Sequence, residues 1–165
     1  MTERARPDWA GSERSQLDQV LDYQRASVRI KCEGLDDGSA RRRMVPSSLT
    51  TIAGVVSHLI TVERWWLEHV VGQRDVEFPW TDEHPDADWE QGDTIPLADL
   101  LDAYDEACAT ARSIVADLDL AYVAAPGSSQ PISVRAAMLH MIEETARHLG
   151  HLDILRELTD GVTGE

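Results

Sequence analysis

The chain has 165 residues, 30 acidic and 15 basic side chains, and a formal net charge of -15. Nucleic acid and anionic membrane are excluded as expected partners, because both call for a basic face. The length suits one domain, 1–165, with a single good core. No apolar run is long enough to cross a bilayer, and "MTERARPDWAGSERSQ" lacks the apolar centre of a signal peptide. The expected compartment is therefore the cytoplasm. Cys32 and Cys108 lie far apart with no paired spacing, so both are expected to be free, buried thiols.

Four segments carry helical periodicity. The first spans about Glu13 to Glu33, with Leu17, Leu21, Ala26, Val28 and Cys32 inward and Gly34 as the stop. The second spans about Ser48 to Gly72, capped by Ser47 or Ser48 after Pro46. Its inward stripe is Ile52, Val55, Val56, Leu59, Val62 and Trp66. The third spans about Leu97 to Leu118, with Leu100, Leu101, Tyr104, Cys108, Ala111 and Val115 inward. The fourth spans about Ser133 to Leu158, capped by Ser133 and stopped by Gly161. Almost nothing alternates with period two, so no strands are expected.

About 14 residues link helices one and two, and about as many link three and four, whereas about 24 link two and three. A connection that long suits a crossover, which lets two neighbouring helices run parallel. The expected fold class is all-α: an up-down-down-up four-helix bundle with a long crossover between helices two and three. Phe78, Trp80 and Trp89 in the crossover are expected to cap one bundle end; the alternative is a solvated acidic loop with anchoring aromatics.

Helix four holds the most informative stretch, "HMIEETARHLGHLDILRE" (140–157). His140, Glu144 and His148 recur every fourth residue on one stripe. Glu144 and His148 form an i, i+4 pair whose side chains point the same way, close enough to hold one ion. His58 of helix two interrupts an apolar stripe, three residues after Val55 and four before Val62. Each of these residues alone reads as a core histidine or a helix surface pair. Together, one divalent cation offsets the cost of burying all three.

The segments "KCEGL", "VPSSLT", "HLITVERWW" and "HMIEETARHLGHLDILRE" followed by "DG" carry a family resemblance over nearly the whole chain. The chain resembles the DinB-like superfamily of four-helix metalloproteins, which includes the mycothiol-dependent maleylpyruvate isomerases, and more closely an actinobacterial branch of it. That resemblance implies an up-down-down-up bundle and metal ligands at His58, Glu144 and His148. Many members continue with Arg-Gly-Gln after the last ligand, where this chain has Leu149, Gly150 and His151. His151 is therefore expected as a catalytic or substrate-contacting group, or as a fourth ligand.

The expected metal is zinc, with nickel, manganese or iron(II) also suited to such a set. An open coordination position marks a catalytic site. The resemblance implies that a low-molecular-weight thiol of the mycothiol type binds there as thiolate and attacks a small electrophile. The alternatives are metal-assisted hydrolysis, with His151 or Glu143 as proton shuttle, and a non-enzymatic metal-binding stress or regulatory protein. Arg41, Arg42 and Arg43 could bind a carboxylate of substrate or thiol cofactor, with Arg43 the candidate cofactor-binding residue; the alternative is a solvated loop. Glu63 or Glu143 is expected to pair with Arg147, and Trp65 and Trp66 to serve as core or interface aromatics. The resemblance also implies a homodimer.

Overall fold

The structure is a computed structural model that describes residues 4–125 and 131–163. It is mostly helical. Helix α1 is Glu13–Cys32, opened by Ser12, whose hydroxyl accepts from the Ser15 amide. A short α2, Asp37–Ala40, follows Gly34, which takes the left-handed conformation at φ 77°. Helix α3, Ile52–Glu63, runs on as a π-helical stretch, Arg64–Val71. A short α4, Ala87–Glu90, leads into a single 3₁₀ turn, Gln91–Asp93, and then α5, Leu97–Ala116. Helix α6 is Val134–Asp160.

The caps differ in one place from expectation. Ser133 does open α6, accepting from the Ala136 amide, and Gly161 closes it at φ 78°. Helix α3, however, begins later than Ser48, and Thr51 caps it by accepting from Gly54. One short antiparallel pair, Val123–Ala124 with Ile132–Ser133, also departs from the strand-free expectation. Two residues per strand carry no period-two signal; tertiary context makes the pair, and the amides of Val134 and Arg135 continue it onto Tyr122 and Leu120.

Packing follows the apolar stripes, with two shifts of phase. The π-helical stretch winds more slowly than an α-helix. Leu67 therefore enters the core with no exposure, and Trp66 turns half outward. On α1, the buried line runs through Leu21, Arg25, Val28 and Cys32, so Arg25 takes the place expected of Ala26. Ion pairs fix how the long helices neighbour one another. Glu13 meets Arg135 and Lys31 meets Asp153, joining equivalent ends of α1 and α6. Arg29 meets Asp105, and Arg112 meets Asp22, so the contacts run in opposite order along α1 and α5.

Two apolar clusters result. One gathers Val28, Ile52, Val55, Leu59, Leu100, Leu152 and Leu155; the other gathers Leu21, Leu67, Val115, Ala137, Met138 and Met141. Polar groups lie at the junction. Glu63, wholly buried, accepts from Nε and Nη2 of Arg25 at 2.7 Å each. This forked pair is geometrically strong and leaves neither buried charge alone. It replaces the expected Glu63–Arg147 pair; Arg147 instead meets Glu143 and Glu144.

The candidate metal centre

At the same junction, α3 and α6 bring His58, Glu144 and His148 together. One ligand atom from each lies within 4.8 Å of the others. His148 Nε2 is 3.1 Å from Glu144 Oε1, and His58 Nε2 is 3.5 Å from the same oxygen. Local folding explains the convergence. The i, i+4 spacing stacks Glu144 and His148 on one face of α6, and the apolar stripe of α3 turns His58 toward them.

The surroundings set which atoms can ligate. Asp88 Oδ2 lies 2.7 Å from His58 Nδ1. A carboxylate only accepts, so Nδ1 carries the hydrogen and Nε2 presents a lone pair toward Glu144. His148 Nδ1 meets His151 Nδ1 at 3.3 Å, and by the same rule its Nε2 donates to Glu144 Oε1 at 3.1 Å, a hydrogen whose place a bound ion would take. Burial, reinforced by repulsion from His58, pushes the His148 imidazole down to about 4, so it is neutral at physiological pH. For Glu144, burial raises the carboxyl, but His148, His58 and the Arg147 guanidinium outweigh it and hold it below its ordinary value. Two imidazole nitrogens and an ionised carboxylate thus crowd one point. A divalent cation is the partner that such a donor set fits.

The other expected site residues fall elsewhere. His151 stands behind His148 rather than beside the shared oxygen, and it is outside the three-residue cluster. His140 packs its edge against Trp66. Arg43 donates to the Ser48 carbonyl and pairs with Asp93 at 2.9 Å, both on the surface. Arg41 holds the carbonyls of Gly92 and Ile95, and Arg42 that of Thr159. The crossover aromatics divide. Phe78 and Trp80 stack on each other and meet Trp65 edge-on, whereas Trp89 stacks on His58 at 4.3 Å. Both cysteines are free and buried; burial pushes the Cys32 thiol up to about 12 and raises Cys108 as well, which disfavours the thiolate at both.

Asp88 is the residue at this centre that sequence reasoning missed, and Trp89, expected to cap a bundle end, stacks on His58. The only signal for Asp88 was an acidic-aromatic pair inside a loop too long to be a simple connection.

The model of the mycothiol S-transferase family matches residues 16–161. The chain belongs to the mycothiol S-transferase family, a DinB-like family. No curated protein matches it. Among solved structures, it is similar to a conserved protein from Enterococcus faecalis, with a TM-score of 0.60 and 14% identity over 93% of this chain and 100% of that one. At that identity the likeness speaks for the fold alone. As a member of this family, the protein is a mycothiol-related one with a candidate His/Glu/His metal site. No helix among the described residues is long and apolar enough to cross a membrane.

Proposed function

We propose that this protein is a metal-dependent S-transferase that joins a low-molecular-weight thiol of the mycothiol type to a small electrophile. The observation that carries this reading is the convergence of His58, Glu144 and His148 within 4.8 Å, inside a chain of the mycothiol S-transferase family. These three residues would hold the ion, with zinc the first expectation and nickel, manganese or iron(II) also compatible. When bound, a divalent metal favours the ionised form of a thiol at neutral pH.

The chain's own residues supply the rest. Glu144 brings the single negative charge of the set, and Arg147 at 2.8 Å steadies its second oxygen. His148 is kept neutral, and a bound ion would take the place of the hydrogen that its Nε2 shares with Glu144. His151 is proposed as the proton-carrying group, since it is half-buried next to the centre and its Nε2 makes no hydrogen bond among the described residues. Arg43 is proposed as the group that takes a carboxylate of the thiol, exchanging it for Asp93; an exposed pair of this kind is worth little and gives way readily. The frame we propose is the up-down-down-up bundle, supported by the pairs Glu13–Arg135 and Lys31–Asp153, which run in the same order along α1 and α6, and by Arg29–Asp105 and Arg112–Asp22, which run in opposite order along α1 and α5. A cytoplasmic homodimer completes the reading.

The test is turnover. Metal-loaded protein, mycothiol and an aryl halide are mixed, and thioether formation is followed. The sulfur–carbon bond forms, halide leaves, and the thiol proton passes to solvent. The expected result is turnover by wild type and at least a tenfold loss in His148→Ala and after chelation. Hydrolysis of activated esters without thiol, and no thioether, would move the site to hydrolytic chemistry. No turnover of either kind would leave a metal-binding protein without catalysis.

A further inference from the structure

Asp88 is buried at 3% exposure, in a chain with acid to spare on its surface. A buried carboxylate is costly unless something compensates it. Its compensation is the Nδ1–H of His58 at 2.7 Å. The aspartate sits in α4, 30 residues along the chain from that histidine, inside the crossover. From this geometry we infer that Asp88 is a positioning residue of the metal centre and that the crossover is part of that centre. The inference rests on the metal reading given above.

The crossover is built to deliver this contact. Gly92 lies so close to α3 that a Cβ there would sit 2.5 Å from the Gly54 nitrogen and 2.6 Å from the Ala53 carbonyl carbon. Only bare backbone allows that approach. The Ser57 hydroxyl donates to the Asp88 carbonyl at 2.5 Å, one residue before His58. Arg41 ties down the carbonyls of Gly92 and Ile95. Asp37 Oδ1 accepts from the Leu97 amide and fixes where the crossover ends. With the segment anchored on both sides, Asp88 meets one edge of the His58 ring. Trp89 covers one face, nearly parallel at 18°.

The consequence is chemical. Neutral imidazole in water prefers hydrogen on Nε2, and an ion beside Glu144 would have to displace that hydrogen to reach His58. The Asp88 carboxylate selects the other tautomer, so Nε2 keeps its lone pair. Its charge also raises the basicity of that lone pair. Asp88 faces the Nδ1 side and is outside the three-residue ligand cluster, so it acts through His58 and not on the ion.

The experiment compares wild type, Asp88→Asn and Asp88→Ala. Nitrogen-15 shifts of the His58 ring report its tautomer in the metal-free protein. Competition with a chromophoric chelator gives zinc affinity, the visible spectrum of the cobalt form reports ligand geometry, and the melting temperature of the metal-free protein monitors folding. The expected wild-type result is hydrogen on Nδ1. Asp88→Ala shifts the ring toward the Nε2–H form and weakens zinc binding about 10–100-fold, with an altered cobalt spectrum. Asp88→Asn keeps an acceptor oxygen without the charge, so it retains the tautomer and loses a smaller factor. If the alanine variant does not fold, the asparagine variant decides by its zinc affinity. An unchanged tautomer, with zinc affinity within twofold of wild type in the folded variants, would overturn the inference even if wild type binds metal. A wild type with the Nδ1–H tautomer and no metal affinity would overturn the metal reading and, with it, the role given to Asp88.

Discussion

Replacing His148 by alanine should remove most of the thermal stabilisation that zinc gives the protein. Zinc bonds of about 2.1 Å at tetrahedral angles place ligand atoms about 3.4 Å apart. The metal-free centre already has two such edges, at 3.1 and 3.5 Å, and no pair of ligand atoms is more than 4.8 Å apart. The longest edge closes by no more than roughly 1.4 Å on that comparison. The folded chain therefore presents a nearly finished site, and the unfolded chain presents none. Linkage then stabilises the fold by about 2.7 kcal/mol when free zinc is one hundred times its Kd. For a chain of this size that amounts to roughly 5–11 °C in Tm. His148→Ala leaves two ligands, and at the same zinc concentration the gain should fall to under about 2 °C. Far-UV circular dichroism melts at neutral pH, with and without zinc after chelator treatment, measure both values. An equal gain in wild type and variant would refute the reasoning, because the ion would then bind elsewhere.

Three further outcomes follow from the same geometry. Arg25→Leu strands the Glu63 carboxylate and should cost about 3–5 kcal/mol in denaturant unfolding, while Arg25→Leu with Glu63→Leu recovers most of it. His148, held at about 4 when folded and at 6.5 when unfolded, makes the unfolded chain the stronger proton binder between those values. Its contribution is therefore complete above pH 6.5 and lost as pH falls toward 4, about 2 kcal/mol of it by about pH 5, so metal-free wild type should lose more Tm over that range than His148→Leu. Gly92→Ala places a methyl 2.5 Å from the Gly54 nitrogen and should lift the crossover off α3, seen as a red-shifted Trp89 emission in a variant lacking the other tryptophans.

The centre was legible where chemistry coincided with helical period. His58 stood out because it broke an apolar stripe, and Glu144 with His148 because four residues make one turn. Asp88 was not legible, since one aspartate among many in an irregular loop carries no phase, and its placement depends on the contact of Gly92 with Gly54. The phase of α3 beyond Glu63 was hidden for a different reason. A 3.6-residue period assigns Trp66 inward, and only the wider π turn exchanges it for Leu67. Arg25 was passed over for Ala26 because charge argues against burial, until Glu63 is known to face it.

The central claim is that one ion binds where α3 and α6 meet. The most direct measurement is anomalous diffraction from crystals of the zinc-loaded protein, combined with elemental analysis of the same sample. The expected result is one zinc per chain, bonded to His58 Nε2, Glu144 and His148 Nε2 at about 2.0–2.2 Å. A zinc found only at other residues, or no bound zinc at saturating concentration, would contradict it.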